Sequence, residues 1–128
     1  MRILKIFLTV IVIFISINLV DKAGSPKAVR TQWTTVDSKE YARDRLLAIA
    51  DKEWVCLDKL WTKESNWRPN AYNKVKVMGK HAGGIPQLLA MNPKTPPTMQ
   101  IDRGLAYIVS RYKTPCIAWK HEQRKGWY

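Results

Sequence analysis

Residues 53–70 read EWVCLDKLWTKESNWRPN, and the fold turns on how this stretch places its one central carboxylate. An α-helix advances about 100° per residue, so positions can be set around the axis from the sequence alone. Cys56, Trp67, Leu60, Glu64, Leu57, Trp61 and Trp54 then fall in that order on an arc of about 160°. Glu64 lies in the middle of it. Asp58, Thr62, Asn66, Lys59 and Lys63 take the other side, with Val55 as the one apolar exception. Pro69 pushes Arg68 out of the α region and ends the helix, predicted over residues 53–66. A glutamate on an apolar stripe is desolvated, which favours its protonated form and suits a general acid. Two readings are open: an acid at the rim of a cleft, or a buried glutamate paired with Arg68, Arg103 or Arg111.

Working outward, the pattern predicts a mainly α-helical domain of the α+β kind. Asp37 and Glu40 suggest a capping box opening a first helix through SKEYARDRLLAIADK, with Tyr41, Ala42, Leu46 and Ile49 at helical spacing. Residues 68–97 carry Asn, Gly and Pro throughout, so a long irregular loop or small hairpin is expected there, lining the cleft. A third helix fits residues 99–112, where Gly104 costs about 1 kcal/mol against alanine and implies a close packing contact. Thr114-Pro115 starts a fourth helix and Gly126 stops it. The chain of 128 residues holds one core of this size, assigned to residues 37–128.

The first twenty residues, MRILKIFLTVIVIFISINLV, join Arg2 and Lys5 to an apolar run, the pattern of an export signal. Residues 1–23 are read as a cleaved signal peptide or a membrane anchor, and residues 24–36 as a linker. The net charge is +12, and loss of residues 1–23 removes three basic residues and one acidic one, leaving +10. Such charge favours anionic polymers outside the cytoplasm. Two cysteines in an exported chain are most simply one disulfide, Cys56 to Cys116, closing a loop whose constraint is worth roughly 4 kcal/mol.

Several short motifs now combine: Glu64-Ser65 with Trp67 and Pro69-Asn70-Ala71, then Gly84-Ile85-Pro86-Gln87, then Gly104-Leu105-Ala106-Tyr107-Ile108. In this order and spacing the chain resembles the soluble lytic transglycosylase-like domains of the lysozyme-like superfamily. Ser110-Arg111-Tyr112, Pro115-Cys116, Ala118-Trp119 and Gly126-Trp127-Tyr128 bring it nearest the aggregation-promoting-factor C-terminal-like branch. The resemblance covers residues 53–128. It implies cleavage of the β-1,4 bond between N-acetylmuramic acid and N-acetylglucosamine in peptidoglycan, with Glu64 as catalytic acid and base and 1,6-anhydromuramic ends as product. It also implies Gln87 as a cleft residue for sugar hydroxyls or N-acetyl groups and Tyr107 as a neighbour of the acid. Ser65, next to the acid, would either contact substrate or orient the loop.

One departure stands out. Ala82-Gly83-Gly84 precede Ile85, where relatives usually carry an aromatic, so Gly83 is expected to remove a wall of the cleft. A weakly active or inactive wall-binding protein is therefore the first alternative, and a lysozyme-type hydrolase the second. Hydrolysis normally needs a second carboxylate, and neither Asp58 nor Asp102 is placed beside Glu64 by the helical pattern. Cys56, His81, Cys116 and His121 lack the paired short spacings of a zinc site, so no metal or cofactor is expected. Tryptophans among lysines would suit nucleic acid, but the export signal and the core positions of Trp54 and Trp61 argue against it. A monomer is expected, with glycan strands of peptidoglycan as substrate, anionic wall polymers as a further partner, and membrane contact only through the N-terminal segment.

Overall fold

The computed structural model describes residues 32–46 and 51–128. The segment read as signal or anchor, most of the 24–36 stretch, and residues 47–50 with Ile49 lie outside the described residues. The protein is mainly helical: α1 (Thr35–Leu46), α2 (Asp51–Ser65), α3 (Pro97–Tyr112) and α4 (Pro115–Lys125), with three strands, β1 (Tyr72–Val77), β2 (Lys80–Gly83) and β3 (Leu88–Leu89), between α2 and α3. None of the described helices is long and apolar enough to cross a membrane.

The first helix starts earlier than Asp37. Thr34 and Asp37 form the capping box: the Asp37 carboxylate accepts from Thr34 N at 2.7 Å and from its hydroxyl at 2.6 Å, while Asp37 N donates to Thr34 Oγ1. Asp37 is thus the third helical residue and not the cap. Upstream, Trp33 donates its indole N–H to Ser38 Oγ at 2.7 Å and packs edge-on against Tyr41. Residues 33–36, read as linker, take part in the fold.

Helix α2 buries Leu57, Leu60 and Trp61 and ends at Ser65. Trp67 belongs to the core but not to the helical stripe. Asn66 and Trp67 both take left-handed backbone, φ 53° and 59°, which turns the chain back so that the fully buried Trp67 ring meets Trp61 at 5.1 Å and Trp54 at 5.8 Å. Its N–H donates to Asp58 Oδ1 at 2.8 Å, and Lys39 pairs with the same carboxylate at 2.8 Å. Two non-glycine residues at positive φ are costly; burial of the Trp67 ring, worth about 1.5–3 kcal/mol, offsets part of that.

The stretch expected as irregular loop or small hairpin is mostly turn and loop, and carries a hairpin extended by a third short strand. The order is β1-β2-β3, all antiparallel, with Val77 opposite Lys80 and Gly83 opposite Leu88. Met78 and Gly79 join β1 to β2, both at positive φ (52° and 75°), as a two-residue hairpin turn of this twist requires. The hairpin stands out from the core, and Met78 is 88% exposed.

Helix α3 begins at Pro97 rather than at Met99, since proline suits a first turn. Gly104 meets the expectation placed on it: a Cβ there would lie 2.7 Å from Trp61 Cζ2 and 2.8 Å from Pro86 Cβ. Helix α4 has its expected ends. The Thr114 side chain accepts from Ile117 N, Pro115 follows, and Gly126 closes the helix in the left-handed conformation. Cys56 and Cys116 are disulfide-bonded, joining α2 to α4. Beside that bond the buried Glu53 carboxylate accepts from Cys116 N at 2.8 Å, a favourable place for a negative charge at a helix N-terminus.

Candidate active site

A cleft of about 700 Å³ opens between the sheet, the C-terminal end of α2, α3 and the chain after α4. Glu64, Gln87 and Tyr107 line it together, so three of the four predicted functional residues meet at one place. The sheet side contributes Asn73, Val77, Met78, Ala82, Leu88 and Leu89; the opposite side contributes Arg111, Trp127 and Tyr128. Apolar walls with a few polar groups fit a ligand site.

Glu64 sits in the last turn of α2, half-buried. Among the described residues no hydrogen bond and no ion pair engages its carboxyl. Arg68 instead donates to Ser65 O at 2.9 Å, and Arg111 lies over the Tyr112 and Trp127 rings at 5.8 and 5.5 Å. The paired-glutamate reading therefore fails for both of those arginines. Burial, then the Glu122 carboxylate, push the Glu64 carboxyl from its ordinary 4.5 up to about 7, against a smaller opposing pull from Lys63. Its place at the negative end of the α2 dipole also works against ionisation. A carboxyl that holds a proton near neutrality can act as an acid there.

Ser65 is buried, and its hydroxyl donates to Ile85 O at 2.7 Å. Of the two roles open to it, the structure shows the loop contact: it faces away from the cleft and fastens the Gly84–Gln87 turn to the end of α2. In that turn Gln87 has φ 50°, and its side-chain NH₂ donates to Gly84 O at 2.9 Å. The Gln87 Oε1 remains for a ligand. Tyr107 packs edge-on against Tyr128 at 5.8 Å and Tyr112 at 6.2 Å, and burial raises its hydroxyl pKa.

Gly83 has a different part from the one its sequence suggested. It is buried in β2, where a Cβ would lie 2.3 Å from Met91 O and 3.5 Å from Pro93 Cδ. The missing side chain would point into that strand contact and not into the cleft. Its neighbour Ala82 lines the cleft instead.

Three residues that sequence reasoning passed over shape the site. Gln100 is fully buried at the start of α3. Its Oε1 accepts from Ile85 N at 2.8 Å, and its NH₂ donates to Thr95 O at 2.8 Å and Pro69 O at 3.0 Å, tying together the chain on both sides of the sheet. Tyr128 accepts from Trp61 Nε1 at 2.9 Å and donates to Pro86 O at 2.6 Å. Burial, and next the nearby Glu64 carboxylate, hold its hydroxyl pKa well above the usual range. Glu122 is 2% exposed on α4 and pairs with Lys63 Nζ at 2.6 Å. Its signal was available: Pro115, Ala118 and Glu122 form the buried face of α4 at helical spacing, the pattern that singled out Glu64.

Asp102, which the helical pattern did not place beside Glu64, is not among the residues lining the cleft. Asp102 accepts from Tyr41 OH at 3.0 Å and pairs with Arg45 at 3.5 Å, joining α3 to α1. The two histidines hold backbone, His81 Nδ1 lying 3.0 Å from Asn73 O and His121 Nδ1 2.8 Å from Trp127 O. Compared with family models, with curated proteins and with solved structures, the chain matches none of them.

Proposed function

We propose that this chain is a peptidoglycan lytic transglycosylase of the lysozyme-like superfamily, exported and acting as a monomer without cofactor. Glu64 is the general acid and base. The observation that carries the reading is an unpaired glutamate, held protonated to about pH 7, on the wall of an open 700 Å³ cleft. The motif residues Gln87 and Tyr107 beside it support the same reading.

In this mechanism Glu64 gives its proton to the departing O4 of N-acetylglucosamine as the bond from C1 of N-acetylmuramic acid breaks. The carboxylate left behind then takes the proton of the muramic C6 hydroxyl while O6 bonds to C1. The 1,6-anhydro ring closes, no water is consumed and Glu64 ends protonated. A pKa near the working pH suits both halves, since the group must give and take a proton at one pH. Gln87 Oε1 would accept from a sugar hydroxyl or N-acetyl N–H, while the apolar sheet side carries the sugar faces. The basic charge would hold the protein on anionic wall polymers, with the N-terminal segment serving as signal or anchor.

A hydrolase would need a second carboxylate able to reach water in the cleft. Asp58 and Asp102 are engaged elsewhere, and Glu122 is clamped below the surface by Lys63; this favours ring closure over hydrolysis. The inactive wall-binding alternative drew on Gly83, whose missing side chain would meet Met91 O rather than the cleft, which weakens that motive. The test is mass spectrometry of muropeptides released from purified peptidoglycan by the protein and its Glu64→Gln variant. Anhydromuramic ends that vanish in the variant support the proposal; reducing ends would make the protein a hydrolase, and no release from several wall types would end the enzymatic reading.

A further inference from the structure

Arg111 is the one lysine or arginine among the residues that line the cleft, and the mechanism has no use for it. Tyr107 and Arg111 stand one turn apart on α3, so the helix presents both to the same side. The Arg111 guanidinium lies over two rings, 5.5 Å from the centre of Trp127 and 5.8 Å from that of Tyr112. His121 packs against both rings, meeting Trp127 at 4.5 Å and Tyr112 at 5.2 Å, and its Nδ1 lies 2.8 Å from Trp127 O. The cation therefore rests on an aromatic stack and not on a carboxylate: among the described residues no acid pairs with Arg111 and no acceptor takes its N–H groups.

Stacking engages the face of a guanidinium and leaves the N–H donors around its edge unspent. That planar fork matches a carboxylate, two N–H groups to two oxygens. Glu64, the one acid on the cleft wall, keeps its proton to about pH 7 and so supplies no full counter-charge. The sugar rings of the glycan are uncharged as well. Negative charge on such a strand sits on the lactyl group at O3 of N-acetylmuramic acid, either as the lactyl carboxylate itself or, where a peptide is attached, as the carboxylates of that peptide.

We propose that Arg111 is a carboxylate subsite of the cleft, its stacked guanidinium taking a carboxylate borne by the O3-lactyl substituent of the strand. The proposal rests on the cleft being the glycan site described above. Arg111 then selects which strands are held, while both proton transfers stay with Glu64. Trp127 and Tyr112 fix the plane of the fork, so less freedom is lost when the carboxylate arrives.

The test is calorimetric binding to the full chain carrying Glu64→Gln, which prevents cleavage, with and without Arg111→Gln or Arg111→Lys. The ligands are tetrasaccharides of the N-acetylglucosamine–N-acetylmuramic acid repeat with the lactyl group free, with it capped as the neutral methylamide, and with its stem peptide. The expected result is that a carboxylate-bearing strand binds about tenfold tighter than the methylamide. Arg111→Gln should abolish that gain and Arg111→Lys keep only part of it, since lysine brings the charge without the fork. A gain with the free lactyl group, with the peptide or with both supports the proposal and names the carboxylate. Equal affinity for all the strands overturns it, and this comparison decides alone should Arg111→Gln fail to fold. A substitution that weakens charged and uncharged strands alike overturns it too, as an effect of packing on Trp127. So does binding of poly(glycerol phosphate) that depends on Arg111 while the glycans show no preference, which assigns the cation to a wall polymer. A chain that binds none of the strands sinks the glycan reading of the cleft itself, whereas preference for charged strands with no cleavage by the wild type ends the enzyme and keeps the subsite.

Discussion

Replacing Gln100 by methionine isolates the hydrogen bonds of one buried amide, because the two side chains are close in length and volume. The variant leaves Ile85 N–H buried without an acceptor and takes the donor from Thr95 O and Pro69 O. The buried N–H costs about 1–3 kcal/mol and each half-exposed carbonyl about 1 kcal/mol, since water can reach it. A loss of about 3–5 kcal/mol is therefore expected, a large part of the roughly 5–15 kcal/mol that holds a small domain. Urea denaturation of wild type and Gln100→Met at equal m-value measures it. A loss below about 1 kcal/mol would refute the reasoning, because it would mean that the Gly84–Gln87 turn does not depend on the amide. A drop in bond cleavage larger than the loss of folded protein should accompany the change, since the same turn places Gln87 in the cleft.

The Glu64 carboxyl, with its folded pKa of about 7 against an ordinary 4.5, binds its proton more tightly folded than unfolded. The stability this group contributes is therefore fully present below about pH 4.5 and is lost as pH rises through 7; with allowance for solvent on the open side of the cleft, that loss is about 2 kcal/mol. Glu64→Gln should accordingly be the more stable protein at pH 8 and level with wild type near pH 4, by urea denaturation at each pH; equal stability at both would refute this. Gly83→Ala drives a methyl into Met91 O, 2.3 Å away, and should cost about 1–3 kcal/mol with loss of protection at the β2–β3 amides in hydrogen exchange. Replacing Cys56 and Cys116 together by serine opens a link spanning 60 residues and should lower stability by roughly 4 kcal/mol, read by chemical denaturation against the oxidised protein.

The sequence disclosed most where the signal is local. Thr114, Pro115 and Gly126 mark both ends of α4 because each acts on the backbone within its own turn. Gly104 announced a close contact because a glycine inside a helix needs one, and Glu64 could be placed because a helix has a fixed period. The start of α1 was misread by three residues, since Thr34 and Asp37 satisfy the same capping geometry as Asp37 and Glu40 and only tertiary contacts of Trp33 decide between them. Trp67 looked like part of the α2 stripe because nothing in its side chain declares the left-handed turn that carries it inward. Gln100 and Tyr128 were beyond reach for a different reason. Their partners lie as far as 31 and 67 residues away, and long-range pairs leave no local trace.

The Tyr128 hydroxyl joins Trp61 to Pro86, so the floor of the cleft is held by three points spread over most of the described chain. This gives the site the character of an interlock. An opening confined to the segment after α4 would admit water beside Glu64, return its carboxyl toward ordinary behaviour and leave it ionised at neutral pH. The acid is therefore armed by the closure of the fold as a whole. A partly folded or nicked chain would carry the same glutamate without its proton.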